Sequence, residues 1–487
     1  MFMKSKTNVG SNNNAQFKLN YKRTCIIGFA FFGILLLWQV YDSWCPTFLS
    51  RLFKEALGAK TTEEVQYLVG IVMALDNLAA LIMLPIFGRM SDKTHTKIGK
   101  RMPYILIGTL LCAIAFPFVP VFFHYHNIAG TIVMMAVVVF FAMMYRNPAV
   151  ALMPDITPKP LRSKANGIIN IMGYIGGACA TVTGIFFVLS TYLDGKNGSG
   201  NWADGTANIW LIEAPFLIAS VLMVISALVL FFTIKENKLA EEMKDEMARG
   251  EAVAAVENSV ADDEDKPMSK ANKTMLFLIL GAEFLWFMAD NGIGTFMGNY
   301  TLDYLHCQSS SNMINTIVGG VGSVLGFAIG GIIAGYIGRK WSIFSGLGIT
   351  VASLLLWLIL SLTISVRVPS EGQYNSFPVY LYIIWFLKGF GMSLVHVNSF
   401  PMVVELCSNK KIGKFTGFYY ASSMAAQTIT PIVLGSLLLA PSFSFKLLPL
   451  YALVLTAIAT IIFLFVKNVK VDKTKIKKGF EALDVDD

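Results

Sequence analysis

Seven ionisable side chains lie inside long apolar stretches of this chain: Asp42, Asp76, Arg146, Glu213, Glu283, Asp290 and Lys388. A charge at bilayer depth is costly, so such groups face a cavity, a neighbouring helix or one another. Asp76 sits in the middle of VGIVMALDNLAALIM, beside Asn77. A carboxyl there can carry a coupling proton as its access to water alternates, hydrogen-bond another helix, or touch a cargo. Arg146 follows FFAMMY and cannot readily lose its proton. Asp76 and Asp42 are its expected partners, in a fixed pair or in one that parts when cargo arrives.

Other polar groups recur at helical spacing. In GILLLWQVYDSWCPTFL, Trp38, Gln39 and Asp42 offer a flat apolar face edged by donors and acceptors, which suits a pyranose. The alternative is an aromatic belt at the membrane surface, the reading preferred for Trp44. In GAEFLWFMADNGIGTF, Glu283, Trp286, Asp290 and Asn291 share one helical face, which lines a cavity or packs a neighbouring helix. Asn166, Asn170 and Tyr174 recur every four residues, and Lys388, His396 and Asn398 add a further polar set; cavity lining and helix packing stay open for both. Glu213 near the start of its helix orients that helix end.

The elements that must hold these groups follow from composition. The chain has 487 residues, 55% apolar and 14% charged, with a mean hydropathy of +0.60. So few charges barely coat a soluble protein of this length. The apolar residues instead form twelve segments of membrane-crossing length. The expected fold is an all-α membrane protein of twelve transmembrane helices in two pseudo-symmetric six-helix halves, residues 24–233 and 274–466. A cytoplasmic linker, 234–273, separates them, and 1–23 and 467–487 are cytoplasmic tails. Of the lysines and arginines, 31 fall on the side of the termini and 6 on the other, which places both termini in the cytoplasm of a multi-pass plasma-membrane protein. The basic residues lie in short runs between apolar segments, so nucleic acid is not the expected partner.

The linker has 7 basic and 11 acidic residues; NKLAEEMKDEMARGEAVAAVEN reads as a surface helix and SVADDEDKPMSK as flexible. The six cysteines show neither close pairing nor metal-ligand spacing, and His95, His124 and His126 lie on opposite sides. Gly322, Gly326 and Gly330 predict close helix contact, since no P-loop lysine follows. No metal, cofactor or catalytic set is expected.

A loop with its own chemistry follows the second span. GRMSDKTHTKIGKRMP carries Gly88, Ser91, Asp92, Gly99, Lys100 and Arg101, and GYIGRK, with Arg339 and Lys340, echoes it in the second half. Its acid can accept from a helix N-terminus and its cations sit at an anionic membrane surface, so the loop forms a conformational latch that holds while the cytoplasmic side is shut. This order of residues, and ALMPDITPKPLRSKANG after Arg146, resemble the major facilitator superfamily. Within it, they look like the glycoside-pentoside-hexuronide:cation symporter family and its sucrose-transporter-like relatives, over all twelve spans. The resemblance implies uptake of a sugar or glycoside, of di- or oligosaccharide size, by alternating access and driven by a cation gradient; the alternatives are a facilitator-fold transporter of another small solute and a nontransporting membrane receptor or scaffold. Melibiose-type members bind the coupling cation through two aspartates before a helix-two proline; with Pro85 as that proline, Ala80 and Leu84 stand in their places. Proton coupling through Asp76 and Arg146 is therefore expected over sodium, in a chain working as a monomer among membrane lipids.

Overall fold

The computed structural model describes residues 17–195, 200–260, 270–370, 373–404, 406, 412–440 and 444–467. The two tails and the acidic stretch 261–269 lie wholly or mostly outside the described residues. Helices α1 (Tyr21–Leu57), α2 (Gln66–Lys93), α3 (Met102–Ala115), α4 (Phe118–His124), α5 (Ile128–Asp155), α6 (Arg162–Phe186), α7 (Leu189–Asp194) and α8 (Trp210–Thr233) build the first half. Helices α9 (Glu236–Glu242) and α10 (Lys244–Val260) form the linker. The second half contains α11 (Lys270–Asn299), α12 (Ser309–Ile337), α13 (Arg339–Thr363), α14 (Val379–Val404), α15 (Ile412–Leu438) and α16 (Leu447–Leu464). With α3–α4 and α6–α7 each continuing one crossing, twelve apolar spans result.

Local chemistry sets the ends. Asn20 caps α1 by accepting from the Arg23 N–H, and Gly58 ends it in a left-handed conformation at φ 61°. The side chain of Asn127 caps α5 in the same way, accepting from the Gly130 N–H. Pro117 marks the break between α3 and α4 because it has no N–H to give.

Each half has its own interior. In the first, Phe48 stacks on Phe123 at 4.1 Å and meets Phe216, while Trp44 packs edge-on against both Phe48 and Phe216. Trp44 is thus a core residue, not part of a surface belt; its place on the inward face of α1 decides this, not its aromatic type. In the second half, Trp357 meets Tyr300 and Trp385 in one cluster, and Trp286 meets Phe463 in another. Glycines 322, 326 and 330 bring α12 against α14: a Cβ on Gly322 would lie 2.2 Å from the Phe386 carbonyl oxygen. The halves meet along α2 with α15, α6 with α12 and α1 with α11.

Candidate substrate cavity and its outer seal

Between the halves lies a cavity of about 550 Å³. From the first half, α1 contributes Trp38, Gln39 and Asp42, α2 contributes Asp76 and Asn77, and α5 contributes Arg146. From the second, α11 contributes Asp290 and Asn291, α12 contributes Asn312, Thr316 and Ser323, α14 contributes Trp385 and Lys388, and α15 contributes Gln427. One tryptophan thus stands on each side of a space otherwise edged by amides, hydroxyls and a few charges.

The charges are arranged differently from expectation. The guanidinium of Arg146 lies over the Trp38 ring, 5.9 Å from its centre, and makes no ion pair within 4 Å among the described residues. Asp76 is held from another side: the Tyr41 hydroxyl donates to its Oδ2 at 2.5 Å. Across the cavity, Lys388 donates to Oδ1 of Asp290 in an ion pair. Asp42 projects into the space without an ion-pair partner among the described residues.

The cavity is closed on the side away from the termini. Thr47, in its wall, donates to Asn299 at 2.9 Å, Asn299 donates to Gln66 at 3.2 Å, and Gln66 donates to Ser50 at 2.9 Å. Beyond this layer Arg51 and Thr62 both donate to Asp303, at 2.5 and 2.8 Å. To one side Ser190 and Ser309 exchange N–H to hydroxyl bonds at 3.2 Å, and the Tyr374 hydroxyl donates to the Ser190 carbonyl at 2.8 Å. Among the described residues, the hydrogen bonds joining the halves lie in this outer seal, apart from Asn77 to the Gln427 carbonyl at mid-depth. This side is called outer by the orientation expected from the basic-residue count.

A sequence pattern described as Major Facilitator Superfamily matches residues 26–369 and again 279–484. The chain belongs to the Major Facilitator Superfamily. No curated protein matches it. Among solved structures, a bacterial homologue of the iron transporter ferroportin in an inward-facing state shares 13% identity, covering 92% of this chain and 99% of the other at a TM-score of 0.62. The xylose transporter XylE from E. coli, in an inward open conformation, gives 13%, 91%, 96% and 0.62 in the same terms. A nucleoside transporter, NupG, gives 12%, 91%, 98% and 0.59. At such identities the likeness is of fold. As a major facilitator the protein is a transporter, not an enzyme, and works by alternating access within a plasma membrane that its twelve helices cross.

In this facilitator several expected cavity residues lie elsewhere. Glu283 and Trp286 are both 0% exposed, inside the second half, because the α11 face they share with Asp290 curves from the cavity into the packing against α15 and α16. Asn398 is buried against α13, donating to Ser342 at 3.0 Å. Asn166, Asn170 and Tyr174 lie along α6 outside the cavity wall; Asn170 donates to Asn166 at 3.2 Å and Tyr174 is 58% exposed. Sequence reading missed Trp385, whose signal is its position three residues before Lys388 on one helical face.

The loop cluster is a brace within the first half. Arg101 pairs with Asp92, bonds Ser91, and donates to Asp155 at 2.8 Å, while Lys100 reaches the same Asp155 at 3.0 Å. Burial opposes the Arg101 charge, but Asp155 and Asp92 outweigh it and raise its pKa above the ordinary arginine value. Asp92 therefore binds a side chain, not a helix end; the N-terminal N–H groups of α3 go to Glu236, which accepts from Lys100, Arg101 and Met102 at 3.0–3.1 Å. Gly88 faces Asn147, which donates to the Leu84 carbonyl, and a Cβ on Gly99 would meet Glu236. In the second half, Arg339 opens α13 and Lys340 donates to the Leu464 carbonyl at 3.0 Å.

Proposed function

We propose that this transporter moves a small polyhydroxylated solute, a sugar or glycoside of up to disaccharide size, with a proton. The observation that carries the reading is the cavity lining: a tryptophan from each half beside amides and hydroxyls, with Lys388 already paired to Asp290. Lys388 is already neutralised by Asp290, whereas hydroxyls meet Gln39, Asn77, Asn291 and Gln427 as they stand, and sugar rings stack on Trp38 or Trp385. Asp76 carries the proton, with Tyr41 as its hydrogen-bond partner, and Arg146 sets the electrostatics around it. Sodium coupling is disfavoured because Ala80 and Leu84 supply no carboxyl. The brace at Arg101 steadies the cytoplasmic ends as the halves rock, with the tails and linker on that side.

A second reading, an amine-bearing solute, draws on Asp42, a cavity carboxyl without an ion-pair partner. A panel of glycosides, free sugars and small amines, screened by thermal stabilisation in detergent and followed by proteoliposome uptake under proton or sodium gradients, separates the two. Stabilisation by amines alone would sink the glycoside reading, and uptake indifferent to every gradient would leave facilitated diffusion.

A further inference from the structure

Two carboxyls are buried among the described residues, and the protein treats them oppositely. Glu236, 3% exposed, accepts three backbone N–H groups. Glu283, 0% exposed, has both side-chain oxygens sealed from water without a hydrogen-bond partner, and among the described residues no Lys, Arg or His lies within ion-pair distance. One turn on, the Trp286 indole N–H is likewise buried and unpartnered. Ala282 and Trp286 belong to an apolar cluster with Ile343, Met392, Phe415 and Phe463. Among the described residues, the titratable group facing Glu283 from the packed helices is Tyr419 on α15, whose hydroxyl is shared with Ser399 at 2.8 Å. An ionised carboxylate has no compensation in such a site, so the side chain is held there as the neutral acid.

The helix that carries it links this core to the outer seal. Helix α11 runs without a break from Glu283 past Asp290 in the cavity to Asn299, then through a π-helical turn, Tyr300–Tyr304, to Asp303. Packed cores and interfaces switch between discrete arrangements, so movement of α11 when the seal parts changes the packing around Glu283 as well. We propose that Glu283 is a proton-binding site distinct from the substrate cavity, at which a proton acts as an effector: bound, it favours the outer-sealed form, and its release to water favours the open one. The proton passes from the carboxyl to water admitted to the site, leaving a carboxylate and requiring no other reactant. This inference goes beyond the transport reading and does not depend on which solute is carried.

The sign follows from linkage: the form that binds the proton more tightly gains at low pH and loses as pH rises. The test uses the full chain without solute, with spin labels on Lys60→Cys and Val368→Cys at the outer ends of the two halves and the six native cysteines replaced by alanine. Between pH 5 and pH 8 the ratio of long to short label distances should rise at least about tenfold. Glu283→Gln and the volume-matched Glu283→Met should each remain short at every pH, while His126→Gln keeps the wild-type response. A wild-type distance indifferent to pH overturns the proposal. So does a response that persists in whichever Glu283 variant folds, or that vanishes only with Asp76→Asn or His126→Gln.

Discussion

Arg51 on α1 and Asp303 at the end of α11 form an ion pair across the two halves, and Thr62 holds the second oxygen of the same carboxylate. Both side chains are largely shielded, at 19% and 12% exposure, so the pair is neither a screened surface contact nor a fully buried one. Replacing Asp303 by asparagine removes an attraction made in the closed state alone, since the pair must part for solute to enter from outside. A contribution of about 1–2 kcal/mol corresponds to roughly a 5- to 30-fold shift toward the outer-open form. Distances between labels at the outer ends should lengthen accordingly, and an unchanged distribution would demote the pair to a bystander.

Gly70 lets α2 pack tightly against α15. A Cβ placed on it would stand 2.0 Å from the Pro431 carbonyl oxygen, a backbone atom that cannot swing aside. Gly70→Ala should therefore force the outer ends apart by roughly an ångström and disfavour sealing, because packed backbones do not absorb a methyl group. Gly348→Ala, at a position with open space, is the matched control. Equal transport rates for the two variants would contradict this account.

Glu236 joins the linker to the loop brace. Glu236→Ala would leave the Lys100, Arg101 and Met102 N–H groups without their acceptor, at about 1–3 kcal/mol for each that stays buried and unpaired. The expected result is a lower melting temperature in detergent and faster proteolysis within the linker, with less change in Glu236→Gln, which keeps one acceptor oxygen. A melting temperature equal to the wild type's would show that water replaces the cap at no cost.

The spans were legible because a helix crossing lipid must be apolar over its whole length, a constraint that composition alone exposes. The glycine row on α12 was legible for a similar reason: only close contact with a neighbour such as α14 accounts for three glycines on one face. Side-chain depth was not. Trp44 and Trp38 lie six residues apart on α1, yet one fills the core and the other lines the cavity. On α11, Glu283 and Asp290 share a face, and the cavity ends between them. Which half-turn faces the partner half depends on how α11 packs against α15 and α16, and periodicity within α11 carries no record of that. Glu236 and Asp155 escaped notice because their partners lie more than fifty residues away in sequence.

Lys388 and Asp290 test whether the cavity pair serves orientation or charge balance. Lys388→Met leaves Asp290 with an uncompensated charge in a half-buried site, whereas Lys388→Met with Asp290→Asn removes both charges together. The double variant should regain stability lost in the single one, by about 1–3 kcal/mol of coupling. If the two melt alike, the pair is not coupled in the folded protein.

Asp76 is the acid on which proton coupling turns. It meets the cavity and takes the Tyr41 hydroxyl, so an amide at this position preserves size and much of the hydrogen bonding while removing the exchangeable proton. Asp76→Asn should therefore keep solute exchange between equal concentrations near the wild-type rate. An imposed gradient of one pH unit stores about 1.4 kcal/mol per proton, enough for about tenfold accumulation with one proton per solute. The variant should lose that accumulation and equilibrate instead, while Tyr41→Phe, which leaves the acid in place, should accumulate solute with an altered pH dependence. Wild-type accumulation by Asp76→Asn would move the coupling proton to another group, with Asp42 the next acid in the same cavity.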